Sequence, residues 1–421
     1  MITKHASQHR DLCAVDTIPV AVAQRRILEA TEAVTGADTV PVAAALHRVL
    51  AEAVVSPLDV PAHTNAAVDG FAVRGSDLPR EGTGLLQIIG TALAGRPFPS
   101  PLGAGQAVRI MTGAPLPEGA DTVLMQEQVV EKDGFIQIGA HHRRGENVRH
   151  AGEDIRRGET VLPAGKYLLP PDLGLLASLG VGEATVTRRL RVGLLSTGDE
   201  ILPPGSFHQT GKIYDSNRFS LRGAVTARLV AELVDHGIAP DDPATLKRTF
   251  QEMARRCDVI LCSGGVSVGS ADYTKEALAQ LGSVEFWKVA IKPGRPLAFG
   301  RIGDCLFFGL PGNPVAVLVT FYQFVLPALF KRAGVRRPPL LPTFPARTLE
   351  KLRKKPGRTE FQRGILERDE AGRWQVRTTG KQGSGILSSM SRGDCFIVLE
   401  HDRGPVEAGE WVEVLPFSAL M

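Results

Sequence analysis

From Arg191 onward the chain alternates between short apolar runs and amphipathic stretches, and this alternation constrains the fold more than any other feature. RVGLLST, CDVILCS, VEFWKVAI and CLFFGL read as buried strands, while TLKRTFQEMARR, DYTKEALAQLG and the apolar stretch after Pro314 read as helices. Leu221, Val225, Leu229 and Leu233 recur at helical spacing and mark a further helix. Alternation of this kind predicts a largely parallel sheet covered on both faces. Right-handed connections then gather the loops that follow the strands along one edge.

The flanking regions read differently. Residues 17–56 are expected to be helix-rich: PVAVAQRRILEAT is a helix, and LHRVLAEAVVSPLDVP ends in Pro-marked extended chain. Residues 57–150 hold short apolar runs, Leu85 to Ile89 and Thr122 to Val130, between Gly and Pro clusters, which suggests a compact β module. A linker follows at His141 to Gly152, and the chain is then mixed to about Arg188. FQRGIL, WQVRTT, CFIVLE and WVEVL, beyond about Pro338, resemble the strands of a small β-barrel. With 45 Gly and 29 Pro, the composition suits short strands and turns better than a helical bundle.

Several classes are disfavoured. Pro314 to Phe330 is the most apolar segment, but it contains Gln323 and falls short of the ~20 residues of a spanning helix, so it reads as buried and no membrane is expected. The first residues, MITKHASQHRDLCAVD, lack the apolar core of an export signal, which points to the cytoplasm. Cys13, Cys257, Cys262, Cys305 and Cys395 show no CxxC spacing and read as reduced thiols. Between Lys331 and Arg363, 11 Lys and Arg stand against Glu350 and Glu360, a run that suits a solvated face, a nucleic-acid patch or the wall of an anion site. No aromatic residues interleave in the manner of a base-stacking surface, so nucleic acid is not the expected partner.

Three loops fall just past strand ends, where open parallel sheets bind ligands. Ser196, Thr197, Gly198, Asp199 and Glu200 combine a Gly turn, hydroxyls and two carboxylates, which suits Mg²⁺ shared with a phosphate and equally a polar turn that caps the next segment. SGGVSVGSADYTK, Ser263 to Lys275, offers backbone N–H groups and a helix start to an anion; it lacks the Walker G-K-[ST], and Asp272 also reads as an N-cap. GLPGNPVA places Asn313 and Pro314 as an ordinary helix start whose N–H groups would also receive phosphate. Lys288 and Lys292 fall on one side if their strand is regular, with Arg295 close by, which favours an anionic ligand. Asp69 and Thr112 sit in turn-like contexts, where Asp-Gly is first of all a hairpin signal.

Taken jointly, AVDGFAVR, RIMTGA, RRGENVRHAGEDI, STGDE, DSN, SGGVSVGSADYTK, KPGRP, GLPGNPVA, GRTEFQRG and QGSGILSSM resemble the molybdopterin molybdenumtransferase family, which includes the E domain of gephyrin-type proteins. They run in the family's order from about Ile18 to the C-terminus. The resemblance implies a multidomain α/β plus β architecture: an elongated helix-containing domain in two segments (17–56 and 151–188), an inserted β module (57–150), an α/β pterin-binding domain with a three-layer, mostly parallel sheet (189–336), and a C-terminal β-barrel (337–421). It implies insertion of molybdate into adenylylated molybdopterin with release of AMP, Mg²⁺ as cofactor, and a homodimer in which Asp69 and Thr112 complete the partner's cleft.

By motif position, Asp69, Thr112, Asp154 and Glu200 match residues important for activity, and Asp241, or its neighbour Asp242, matches another. Lys292, Pro293, Arg363 and Ser384 match the molybdate pocket, with Lys288 lining the same region. Gly264, Gly265, Ser267 and Asp272 match the nucleotide-proximal loop beside Ser196, Thr197 and Gly198, and Glu200 with Asp272 is the expected Mg²⁺ pair. Val68, Phe71 and Arg295 depart from the residues usual in the family, and the last alters donor geometry toward an anion. Two other functions suit parts of the pattern: an Mg²⁺-dependent nucleotide or phosphate-ester hydrolase, and a non-catalytic gephyrin-like scaffold.

Overall fold

The computed structural model describes residues 17–228, 231–265, 273–339 and 341–420. The chain divides into two compact units, one comprising residues up to Ala51, Gly165–Pro170 and Glu183 onward, the other Glu52–Ala164 and Pro171–Gly182.

The first unit is built on a seven-stranded sheet. Its strands are β1 (Thr17–Ile18), β2 (Arg191–Thr197), β3 (Glu232–Ala239), β4 (Val259–Ser263), β5 (Ser283–Val289), β7 (Pro296–Ile302) and β8 (Cys305–Leu310); a separate strand, β6 (Ile291–Lys292), leaves the sheet. The order is β1-β5-β7-β8-β4-β2-β3, and only β7 runs against the rest. Burial on both faces explains the near-continuous apolar runs. Val192, Leu194, Val259, Leu261, Leu306 and Phe308 pack on one face with helices Val20–Ala30, Asn217–Thr226 and Pro314–Thr320. Leu195, Ile260, Cys262 and Phe307, one residue out of phase, pack on the other with Pro243–Arg256 and Tyr273–Ala279. The period-two alternation of a strand thus assigns each residue to a layer. The apolar stretch Pro314–Arg332 is mostly buried, a core helix in which Gln24 Nε2 donates to the Gln323 backbone carbonyl at 3.0 Å and to its side-chain Oε1 at 3.5 Å.

Two expectations are corrected. Leu233 lies in β3, not in a helix: the helix that begins at Asn217 stops at Thr226, and Glu232–Ala239 pairs with β2 along the sheet edge. Leu229 lies outside the described residues. Residues 17–56 are not helix-rich beyond Val20–Ala30; Ala37–Pro41 is a strand paired with Glu183–Thr187.

The C-terminal strands, β9 (Phe344–Thr348), β10 (Thr359–Arg368), β11 (Trp374–Thr378), β12 (Cys395–Leu399) and β13 (Trp411–Pro416), close in the ring β10-β11-β9-β13-β12-β10. Closure leaves no free edge, and Ala346, Val376, Ile397, Val412 and Val414 fill the interior. The strand β6 pairs with β10 in parallel, Lys292 opposite Glu360.

The second unit carries a six-stranded sheet in the order Thr122–Met125, Gly70–Val73, Gln106–Ile110, Thr83–Ala92, Phe135–Gly139, Val130–Lys132. Its sides are filled by two separate clusters, one around Ala72, Val108 and Val123 and one around Phe71, Leu124 and Ile136.

Candidate active site

The C-terminal ends of β2, β4 and β8 lie side by side, and the chain departs from β2 toward β3 but reaches β8 on the other flank of β4. Such a divergence opens a crevice in doubly wound sheets. Here it measures about 560 Å³ and is lined by residues of all three loops, of the β6–β7 turn and of the barrel segment Gln382–Ser384.

Close backbone approach builds the floor. Gly264 and Gly265 have φ of +94° and +68°, and a Cβ on either would lie 2.4 Å from the Thr197 carbonyl oxygen or 2.0 Å from Thr274 Oγ1. Only glycine fits both conditions. Asn217 clamps the loops from below, donating from Nδ2 at 2.8 Å to Ser263 Oγ and at 2.8 Å to the Gly312 carbonyl. Asn313 occupies the N-cap position before Pro314, but its side chain makes no cap bond and it lines the crevice.

The crevice is chemically two-sided. Glu200 and Asp241 line it with carboxylates. Burial and the neighbouring negative charges of Asp199 and Glu200 push the Asp241 carboxyl above its ordinary value, partly opposed by the backbone N–H of Asp199; separately, the Asp241 backbone N–H donates to Asp199 Oδ1 at 3.2 Å. Asp242 is committed elsewhere: its side chain caps the helix by accepting from Thr245 N–H at 2.8 Å. Of the adjacent pair, Asp241 is therefore the one that faces the crevice. Lys292, Arg295 and Arg358 supply the cationic side, with Ser384 beside them. Thr197 lines the same space, and its buried Oγ1 has no hydrogen-bond partner among the described residues.

Of the residues singled out from sequence, the crevice gathers Thr197, Gly198, Glu200, Asp241, Gly264, Gly265, Lys292, Pro293 and Ser384. Ser196 is fully buried on β2, its hydroxyl without a partner among the described residues, and does not reach the lining. Lys288 is not brought in: β5 ends at Val289, and Ala290 hands the chain from one sheet to the other, its N–H donating to the Ile18 carbonyl and its carbonyl accepting from Thr359 N–H. Lys288 and Lys292 thus lie on different strands rather than on one side of a single strand. Arg363 is only 1% exposed and lies behind the lining rather than in it. Its Nε donates to Ser389 Oγ at 2.9 Å and its Nη2 to the Gly383 carbonyl at 3.0 Å, and burial lowers its pKa to about 10. Ser267 and Asp272 lie outside the described residues.

Asp69, Thr112 and Asp154 belong to the other unit. Asp69 Oδ1 accepts from Thr112 N–H and from its hydroxyl, both at 2.7 Å, and these bonds hold the carboxyl below its usual range. Asp154 is exposed in the turn before Ile155.

Sequence reasoning missed Arg358, Gln382 and Glu360. Glu360 is 2% exposed and accepts from Lys292 Nζ at 3.0 Å. The basic run through Arg358 was the available signal; nothing local marked its single buried acid.

Comparison with known proteins matches this geometry to a family. Residues 18–180 match the MoeA N-terminal region (domain I and II), residues 193–331 a probable molybdopterin binding domain, and residues 345–417 the MoeA C-terminal region (domain IV). A molybdopterin molybdenumtransferase from Haemophilus influenzae is 46% identical over 372 residues, covering 88% of this chain and 91% of the relative. The chain belongs to the molybdopterin molybdenumtransferase family. A relative of the same name from Nostoc is 34% identical and covers 87% of this chain and 85% of its own length. The crystal structure of the molybdopterin biosynthesis moeA protein from Pyrococcus horikoshii superposes with a TM-score of 0.82 at 29% identity, covering 95% of this chain and 100% of that one. The resemblance first drawn from scattered motifs therefore extends to the family and to the fold.

Proposed function

We propose that this chain is a molybdopterin molybdenumtransferase, an enzyme that inserts molybdate into the dithiolene of adenylylated molybdopterin and releases AMP. One observation carries the reading: a single crevice combines Lys292 and Ser384 with Glu200, Asp241 and the Gly264–Gly265 loop. A phosphorylated substrate suits the glycine loop, where the lack of side chains lets a ligand come close to the backbone; the Gly264 N–H itself donates to the Leu310 carbonyl at 3.1 Å. Molybdate, a dianion, suits Lys292 and the Ser384 hydroxyl, backed by the buried charge of Arg363.

The acidic side fits Mg²⁺. No three carboxylate, imidazole or thiol groups converge to hold a metal among the described residues. Mg²⁺, however, commonly takes one or two carboxylates and draws its remaining ligands from substrate phosphates and water. Glu200 and Asp241 are such a pair; burial first and then the negative charge of Asp199 and Glu200 raise the Asp241 carboxyl, and a divalent cation would relieve that charge. Asp272, by its motif position, is a further ligand. When bound, the ion would neutralise the pyrophosphate as AMP departs.

The protein's task in the insertion step is positioning. Two Mo–S bonds form and two Mo–O bonds break, the departing oxo groups taking the two thiol protons and two protons from solvent to leave as water. Lys292 and Ser384 orient the oxyanion against the chelate. Water then cleaves the P–O–P link to yield AMP. The resemblance further supports a cytoplasmic homodimer in which Asp69 and Thr112 of one subunit complete the crevice of the other.

The test is to incubate purified protein with adenylylated molybdopterin and Mg²⁺, with and without molybdate. Molybdate-dependent formation of active cofactor, accompanied by AMP, is expected. AMP release indifferent to molybdate, with no cofactor formed, favours the hydrolase reading instead.

A further inference from the structure

We propose that Glu360 is a positioning residue that fixes the Lys292 ammonium for the oxyanion substrate, an inference that rests on the molybdenumtransferase reading. A carboxylate beside an anion site needs a reason, because its charge repels the ligand that the surrounding cations attract. Glu360 is 2% exposed, whereas the Lys292 side chain is 46% exposed and lines the crevice. The two stand opposite each other where β6 pairs with β10, and Lys292 Nζ donates to Glu360 Oε2 at 3.0 Å.

The carboxylate is itself held from behind. Gln362 Nε2 donates to the same oxygen at 3.3 Å and to the Arg353 carbonyl at 3.1 Å. Lys354, 3% exposed, donates to the Lys355 carbonyl at 2.8 Å, and Glu360 supplies the negative charge that favours its ammonium against burial. Glu360 therefore has little freedom, and it transmits that constraint to the end of a flexible four-carbon side chain. One N–H of Lys292 is fixed, and the other two are left for the crevice. The backbone link between the two strands does not need this contact, since Thr359 N–H already bonds the Ala290 carbonyl.

The sign of the effect separates this role from its alternatives. A bystander carboxylate would merely repel the anion, so Glu360→Gln would tighten molybdate binding. A purely architectural ion pair would lower thermal stability and leave molybdate binding unchanged. Positioning predicts that Glu360→Gln raises both the molybdate Kd and its KM about tenfold with kcat nearly constant, the pattern of a lost ground-state contact.

The experiment uses the full chain and reads the molybdate Kd by equilibrium dialysis together with molybdate KM and kcat. In a Lys292→Met background, Glu360→Gln is expected to add nothing further, because the two residues act through one contact. Should Glu360→Gln fail to fold once Lys354 loses its counter-charge, Glu360→Asp keeps that charge while withdrawing the carboxylate by one methylene, and the same rise is expected. Unchanged or tighter molybdate binding in the folded variant overturns the proposal, as does a full additional loss in the Lys292→Met background. A wild-type protein that binds molybdate but forms no cofactor rejects the molybdenumtransferase reading and leaves the Kd comparison intact as the test of positioning.

Discussion

Replacing Arg363 by Met tests how a buried charge can be dispensable for folding yet needed for the site. At 1.36 kcal/mol per pKa unit, lowering the guanidinium from its ordinary value to about 10 corresponds to roughly 3 kcal/mol of cost for keeping it charged in its place. Against that stand its bonds to Ser389 Oγ and the Gly383 carbonyl, each worth about 1.5–3 kcal/mol as contacts to a charged donor. At the lower end of that range the two sides cancel. Methionine keeps much of the volume, and Ser389 Oγ retains its bond to the Ile386 carbonyl at 2.6 Å. Urea denaturation is therefore expected to show Arg363→Met within about 2 kcal/mol of wild type, in either direction. The molybdate KM tells the other half. Without the guanidinium, the Gly383–Ser384 segment loses its anchor and the crevice loses a positive charge behind it, so KM rises about tenfold or more. Arg363→Lys restores the charge but not the two-pronged geometry and falls between. A loss above about 4 kcal/mol with an unchanged molybdate KM would refute the reasoning, because it would make Arg363 a structural residue alone.

Further variants separate the carboxylates. Asp241→Asn is expected to raise the melting temperature of the ligand-free protein at pH 7 while lowering turnover. A carboxyl whose folded pKa is raised favours the fold when protonated and loses that advantage as pH rises through the folded value, so the difference from Asn should vanish below pH 3; thermal melts across pH check this. Added Mg²⁺ should raise the melting temperature of wild type more than that of Asp241→Asn, and equal shifts would exclude this carboxylate as a ligand. Glu200→Gln and Asp69→Asn should each lower turnover at least tenfold with the far-UV circular dichroism unchanged; unchanged turnover in both would reject the assignment of the carboxylates. In a mixture of Asp69→Asn and Glu200→Gln subunits, shared sites predict partial recovery of activity, measured after subunit exchange.

The fold was legible wherever local pattern and tertiary environment agree. The centres of RVGLLST, CDVILCS and CLFFGL are apolar without alternation because both faces of their sheet are covered, and the loops after them form one crevice because parallel strands end together. It was illegible where distant partners decide. The run through Leu233 keeps a helical period, yet pairing with β2 draws it into the sheet edge. Nothing in VEFWKVAI announces a break at Ala290, which arises because Ile18 binds one side of that residue and Thr359 the other. Asp241 and Asp242 are equivalent on paper; the helix that begins at Pro243 claims one of them. Glu360 looked like relief in a basic run, and only its burial against Lys292 gives it a task.

The central claim is that one crevice holds the metal oxyanion against cationic residues beside the acidic pair. Anomalous scattering from crystals soaked in molybdate tests it most directly. The account predicts a molybdenum peak between Lys292 and Ser384, in the space also lined by Glu200 and Asp241. A peak confined to another part of the molecule, or none at concentrations that saturate turnover, would contradict it.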